Sequence, residues 1–139
     1  MPEKWWEHFE SETNIEQEKT SKIALQNDLL RKTFCVGGEV NIDGISSLSN
    51  TQQSVLIFMI KEYESFHTND EIGNERHSGF VKLFHKKFIW KITYYDRFAW
   101  ERGSEMKSEN PECAFSTFRI LSIIEVAFDQ ISSPSSCAR

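Results

Sequence analysis

Residues 80 to 95 carry the clearest alternation of apolar and polar positions in the chain. Their aromatic and β-branched residues favour a pleated strand. In the second half of the segment one side of a strand collects Phe88, Trp90, Ile92 and Tyr94, while the residues between them fall on the other side. We therefore predict two strands joined at a polar turn around His85-Lys86-Lys87, with one face buried and the other half-exposed.

Two stretches before this hairpin repeat apolar residues at helical spacing. The first predicts a helix from about 16 to 34, which Gly37-Gly38 stops before a short strand at 39–42 that ends near Gly44. The second predicts a helix from 50 to 66. Ser49 is suited to cap this helix, and Gln52 follows it at the spacing of a capping box.

The segments after the hairpin predict a third strand and a third helix. Phe98 and Trp100 alternate as in a strand that ends at Gly103. Asn110 and Pro111 form a start signal for a helix from 111 to 131, because Pro at a first helical position loses no hydrogen bond. Its predicted apolar face consists of Phe115, Phe118, Leu121, Ile124 and Phe128.

These elements predict one α+β domain, a small mainly antiparallel sheet with a central hairpin packed against about three helices. We place the domain at 21–131, after an acidic aromatic leader at 1–20 and before a flexible tail at 132–139. A chain of 139 residues buries roughly two thirds of its unfolded surface, so it can form a core without disulfides or a structural metal.

Composition limits the classes of binding partner and the cellular compartment that suit this chain. The formal net charge of −5, from 16 basic and 21 acidic residues, gives no overall basic field for nucleic acid. Cys35, Cys113 and Cys137 are scattered, which argues against a disulfide framework and a zinc site and favours a reducing cytoplasm. The longest apolar run, 55–60, is too short to span a bilayer, and the N-terminus does not resemble a signal peptide. We predict no membrane contact.

The leader is the most acidic segment and is the predicted partner-binding element. Trp is enriched among interface hot spots, and acidic side chains suit a basic partner surface. The alternative is a solvated segment with no partner. The predicted binding residues are Trp5, Trp6, Glu7, Phe9, Glu10 and Glu12.

A cluster of residues that are able to do acid-base or metal chemistry lies in the polar loop at 67–78 and consists of His67, Asp70, Glu71, Glu75 and His77. Carboxylates and imidazoles together could relay a proton or hold a metal. The chain has no H-E-x-x-H, P-loop, G-x-S-x-G or G-x-G-x-x-G motif, so we predict no metal and no cofactor and favour a non-enzyme. The weak catalytic candidates are Asp70, Glu75, His77 and Tyr95.

Basic residues on and after the hairpin form a possible anion contact. An exposed basic sheet face is also an ordinary protection against aggregation. At the strand end, Tyr95 and Asp96 are candidates for a ligand site, or Asp96 simply caps a turn. The residues of the predicted anion contact are Lys86, Lys87, Lys91 and Arg97.

The order of motifs resembles a bacterial family known as domain of unknown function 3768. The resemblance runs from about Ile23 to Phe128. It rests on 23–28 with Arg31 and Phe34, on Gly38, on Gly44-Ile45, on Asn69-Asp70 with Gly73, on Trp90 to Asp96, on Gly103-Ser104 and on 119–121. The family pattern usually has Asp at the position of Thr93 and a compact Gly-Glu-His-Asp-Phe-Gly where this chain reads 73–79. The resemblance implies a single bacterial or mobile-element domain and no established activity.

Three functions follow as hypotheses. The first is a non-enzymatic protein-binding module, encoded by a phage or plasmid, that inhibits a host nucleic-acid-handling defence complex through its acidic leader. The second is a small hydrolase or ligand-binding protein using the 67–78 loop with Tyr95 and Asp96. The third is a nucleic-acid binder that uses the basic hairpin, although the negative net charge of the chain disfavours direct contact with nucleic acid.

Overall fold

The computed structural model describes residues 6–66 and 75–126, with side chains from Ile15 onward. The α+β class is confirmed. The helices are α1 (Trp6–Thr33), α2 (Asn50–Lys61) and α3 (Arg97–Glu101), and the strands are β1 (Gly38–Gly44), β2 (Ser78–Leu83), β3 (Lys86–Asp96) and β4 (Thr117–Val126). The 67–74 segment and the predicted tail lie outside the described residues.

The four strands form one mixed sheet in the order β1-β4-β3-β2. β2 and β3 are the predicted antiparallel hairpin, and β3 also pairs antiparallel with β4. β1 joins the other side of β4 in parallel. The last described strand therefore lies inside the sheet, between β1 and the hairpin.

The core lies between one face of this sheet and the first two helices. Phe88, Trp90 and Ile92 are almost fully buried there, as the alternation predicted, and α1 contributes Leu30 to the same cluster. α2 contributes Leu56 and Ile60. Burial of each large apolar side chain stabilises the fold by about 1.5–3 kcal/mol.

The first two predicted helices are present with different bounds: α1 begins at Trp6 and not near 16, so most of the predicted leader is continuous with this helix. Ser49 caps α2 and forms the predicted capping box with Gln52, although the helix ends at Lys61 and not at 66. α1 ends at Thr33, earlier than the glycine pair, because Phe34 takes a left-handed conformation (φ 61°). The short strand predicted at 39–42 is confirmed as β1.

The hairpin turn differs from the prediction by one residue. Phe84 and His85 form a two-residue turn with φ values of 57° and 60°, so Lys86 and Lys87 belong to β3. Positive φ at both central positions matches the right-handed twist of the flanking strands, although Asn and Gly are the usual residues there.

The helix predicted at 111–131 is wrong over 117–126, which form β4. The inward side of this strand carries Thr117, Arg119, Leu121 and Ile123, and all four are buried. Because Thr117 and Arg119 are polar, the inward positions do not read as an apolar alternation. Apolar residues on both sides of the strand instead give the spacing expected of a helical stripe. A central strand that pairs on both edges overrides this local pattern.

The strand predicted at Phe98 and Trp100 is also wrong. Residues 97–101 form α3, and Asp96 caps it by accepting a hydrogen bond from the Ala99 amide at 2.9 Å. This cap turns the chain out of the sheet, so α3 packs on the second sheet face.

Among the described elements α3 alone covers that second face, here called the open face, and it does so at one end. Phe80 is 42 % exposed and Ile124 is 51 % exposed on its uncovered part. In the part of the chain that the structure describes, no helix is both long and apolar enough to cross a bilayer.

Candidate functional site

A buried polar cluster joins α1 to the sheet and is the most developed polar site among the described residues. Asn27 donates from Nδ2 to the Tyr94 hydroxyl at 2.7 Å and to the Glu75 carbonyl at 2.9 Å. The Tyr94 hydroxyl donates to Glu75 Oε1 at 2.8 Å. Arg119 donates from Nε to Asn27 Oδ1 and from Nη2 to the Pro111 carbonyl, both at 2.7 Å.

The electrostatics of this polar cluster hold Tyr94 in its neutral form. Burial raises the pKa of Tyr94 far above its ordinary value of 10.0, and the carboxylate of Glu75 adds to the rise, while the hydrogen bond from Asn27 opposes it. Burial lowers the pKa of Arg119. The Tyr94 hydroxyl therefore serves as a hydrogen-bonding link and is a poor source of a nucleophilic phenolate.

A second charged group lies beside the polar cluster and fastens α1 to α2. Arg31 is fully buried and donates to the carbonyls of Ile60 and Lys61 at 2.9 and 3.0 Å, so it satisfies the last turn of α2. Asp28 accepts from Arg31 at 3.0 Å and from Arg76 at 3.1 Å. Two guanidiniums on one carboxylate form a network that is stronger than an isolated surface pair.

Of the catalytic candidates in the 67–78 loop, the two that the structure describes, Glu75 and His77, do not contact Tyr95. The Glu75 carboxylate accepts a hydrogen bond from the hydroxyl of Tyr94. Tyr94 precedes Tyr95 in β3, so the two side chains point to opposite faces of the sheet. His77 has an exposed side chain, and its carbonyl accepts from the Ile92 amide at 2.7 Å. Asp70 lies outside the described residues, as do His67 and Glu71.

The end of β3 is occupied by structural contacts. Tyr95 lies on the open face, where its ring is 4.8 Å from Trp100 and 5.3 Å from the Lys107 ammonium. Arg97 donates from Nε to the Phe115 carbonyl at 3.0 Å and from Nη2 to the Thr117 carbonyl at 3.1 Å. This guanidinium orders the loop before β4.

The lysines of the predicted anion contact are distributed along the hairpin. Lys86 forms an ion pair with Glu125 at 3.7 Å, and Lys91 is exposed. Lys87 lies directly opposite Lys82 and has its ammonium 5.6 Å from the Phe80 ring. An open cavity of about 770 Å³ at the turn is lined by residues 82–87.

A known family model matches more than half of the chain. Residues 42–127 match the model of a protein of unknown function, DUF3768. The chain belongs to this family. No curated protein and no solved structure matches it.

The DUF3768 match begins inside β1 and ends one residue after β4. It includes the sheet side of the polar cluster, Tyr94 and Arg119, whereas α1 precedes it. Thr93 lies on the open face opposite Ile120.

The resemblance includes Asn27, Tyr94 and Arg119, whereas Glu75 lies in the segment that departs from the family pattern, and the contact among these residues was not predicted. A signal was present, because Asn27 occupies a position of the apolar stripe between Ile23 and Leu30. A polar residue at such a position needs a buried partner. Arg119 is that partner, and the distance of 92 residues between the two concealed it.

Proposed function

We propose that this chain is a non-enzymatic protein-binding module of the reducing cytoplasm and that the N-terminal part of α1 is its binding arm. The arm consists of residues 6–22. The observation that carries the proposal is that α1 begins at Trp6, while its described side chains before Ile23 lie outside the core. None of the side chains from Ile15 to Lys22 is buried, and Ile15 is 51 % exposed. Among the side chains of α1 that the structure describes, Ile23 is the first that is buried.

The geometry gives the arm a length suited to a groove. Its 17 residues would extend about 25 Å at 1.5 Å per residue. The arm continues without interruption from the turns that hold Asn27 and Arg31 in the core. A rigid anchor of this kind supports binding because little chain entropy is lost when the arm docks.

The charge of the arm selects the partner. Between 6 and 22 the chain has five glutamates and two lysines. We propose that the partner is a basic groove of a nucleic-acid-handling complex and that the arm excludes nucleic acid from it, as expected of an inhibitor carried by a mobile element. The predicted contacts of Trp5, Trp6 and Phe9 belong to this proposal, since their side chains lie outside the described residues.

The test is site-specific cross-linking in bacterial cells. A photoreactive residue replaces Phe9, and the cross-linked proteins are identified by mass spectrometry. The arm variant carries Glu7→Gln, Glu10→Gln and Glu12→Gln. The control variant removes the same charge from exposed residues elsewhere, with Glu101→Gln, Glu105→Gln and Glu109→Gln.

We expect the amount of cross-linked product to fall at least tenfold in the arm variant and to stay at the parent level in the control variant. When the cross-linking is repeated in a lysate, double-stranded DNA added before illumination should compete, because the partner's groove is basic. Equal cross-linking in both variants, or a product that DNA leaves unchanged, would contradict the proposal.

The hairpin supports a second candidate function, the binding of single-stranded nucleic acid. Lys82 and Lys87 oppose each other on the open face beside Phe80, which combines cations with an aromatic ring as such sites do. Fluorescence anisotropy with labelled single-stranded DNA tests it. Affinity should fall steeply as salt rises, and Lys82→Ala with Lys87→Ala should weaken it more than Lys32→Ala with Lys107→Ala.

A further inference from the structure

β1 is an edge of the sheet among the described strands, and its outer side is unpaired. β4 pairs with it on one side, and the strand order places no described strand on the other. Alternate residues of an edge strand direct their amide and carbonyl groups away from the sheet. This edge therefore offers hydrogen bonds to an added strand over 38–41, whereas at its other end the Asp43 amide already donates to Asn41 Oδ1 and the Ile42 carbonyl accepts from Ile45.

A groove beside β1 on the open face combines polar side chains of β1 with the apolar side chains of Trp100 and Ile120. It has a volume of about 390 Å³ and is lined by residues 39–43 together with Trp100 and Ile120. The Trp100 ring lies 4.8 Å from the ring of Tyr95 and 5.3 Å from that of Phe118. These contacts hold the indole in place before any ligand arrives, and preorganised aromatics favour binding.

The rim of the groove is acidic. Glu39, Asn41 and Asp43 alternate on the exposed side of β1, while Val40 and Ile42 pack against the core. Within the described residues neither Glu39 nor Asp43 has a cation within the 4.0 Å of an ion pair. The two carboxylates are four residues apart, or about 13 Å along a strand.

This charge pattern decides which strand fits. A second copy of β1 pairing antiparallel about Asn41 would set Glu39 opposite Asp43, and like charges directly opposite each other are destabilising. A basic strand would instead place two cations, four residues apart, against the two carboxylates.

We propose that β1 binds an extended basic peptide segment of a partner protein as a fifth strand. The segment has the pattern cation-x-apolar-x-cation. Its backbone bonds to the free edge of β1, its cations pair with Glu39 and Asp43, and its central apolar side chain enters the groove against Trp100. Strand addition of this kind takes affinity from the backbone and specificity from alternate side chains. The site is independent of the arm.

Charge reversal tests the proposal with defined peptides and the full chain. The probe is a fluorescein-labelled peptide that contains Lys-Thr-Leu-Thr-Lys, and its partner peptide has Glu in place of both Lys. The variant chain carries Glu39→Lys and Asp43→Lys, whose side chains are exposed, so folding is preserved. The control chain carries Glu105→Lys and Glu109→Lys, which are exposed in the loop that pairs with Tyr95 on the side of β3 opposite β4 and β1.

We expect the parent and control chains to bind the lysine peptide at least tenfold more tightly than the glutamate peptide by fluorescence anisotropy. The charge-reversed chain should invert this preference. Hydrogen exchange should slow at 39–43 when the lysine peptide is bound. Equal affinity for both peptides, a preference that charge reversal does not change, or no slowing at 39–43 would overturn the proposal. The arm variant should bind the lysine peptide normally, so failure here and failure of the arm proposal are distinguishable.

Discussion

Arg119 is the residue whose removal best tests the role of the polar cluster. Its side chain is 1 % exposed, and it is the donor to both Asn27 Oδ1 and the Pro111 carbonyl. Arg119→Ala leaves those two acceptors without their donor and leaves the Glu75 carboxylate without its nearby cation. We expect the fold to survive with a large loss of stability.

The magnitude follows from these contacts. Each buried acceptor left unpaired costs about 1–3 kcal/mol. Relief from burying the Arg119 guanidinium offsets part of that cost. Removal of one member of a buried charged network typically costs about 3–5 kcal/mol. We therefore expect the free energy of unfolding to fall by about 3 kcal/mol, a large share of the roughly 5–15 kcal/mol of an ordinary domain.

Urea denaturation followed by circular dichroism measures this loss. Arg102→Ala is the matched control, because Arg102 is exposed and its truncation should cost less than about 0.5 kcal/mol. A double-mutant cycle with Asn27→Ala should give a coupling of about 1–3 kcal/mol. A loss below about 1 kcal/mol for Arg119→Ala, or simple additivity with Asn27→Ala, would refute the view that the cluster fastens α1 to the sheet.

Three further predictions concern the sheet and its turn. Tyr94→Phe should lower the free energy of unfolding at neutral pH by about 1–2 kcal/mol. The raised pKa of Tyr94 means that the folded state keeps its proton when the unfolded state loses it, so parent stability should fall as pH rises above about 10, and less steeply in the variant. Equal slopes would contradict this reasoning. Gly79→Ala should cost about 1–3 kcal/mol, because the added Cβ would lie 2.7 Å from Cε2 of the buried Trp90; an unchanged urea midpoint would disprove it. Phe84→Asn with His85→Gly should raise the midpoint by relieving two positive φ angles, a gain of about 1 kcal/mol, and a lower midpoint would show that this turn is held by other contacts.

The sequence predicted the elements whose periodicity had a single interpretation. The β3 alternation, the Ser49 capping box and the strand before Gly44 were all confirmed. β4 was missed because its inward positions begin with Thr117 and Arg119, and their burial is explained only by contacts made elsewhere in the chain. Local pattern cannot separate a two-sided central strand from a helix when the apolar run is short.

The candidate site was less predictable than the fold for a related reason. Glu75 and Tyr94 are 19 residues apart, and Asn27 and Arg119 are 92 residues apart. Only the crossing of α1 over the strands brings them together. Tyr95 was chosen by sequence reasoning over Tyr94, and the alternation of side chains along β3 decides which of the two tyrosines meets Glu75.

The position of β4 has a consequence for synthesis on the ribosome. β4 lies between β1 and the hairpin and pairs with both. The four-stranded sheet therefore cannot be completed until residue 126 has left the ribosomal exit tunnel. A nascent chain that stops short of it exposes two strand edges and the apolar side of the hairpin, which are the features that attract chaperones and promote aggregation. We expect this domain to fold after its synthesis and truncation within β4 to yield insoluble protein.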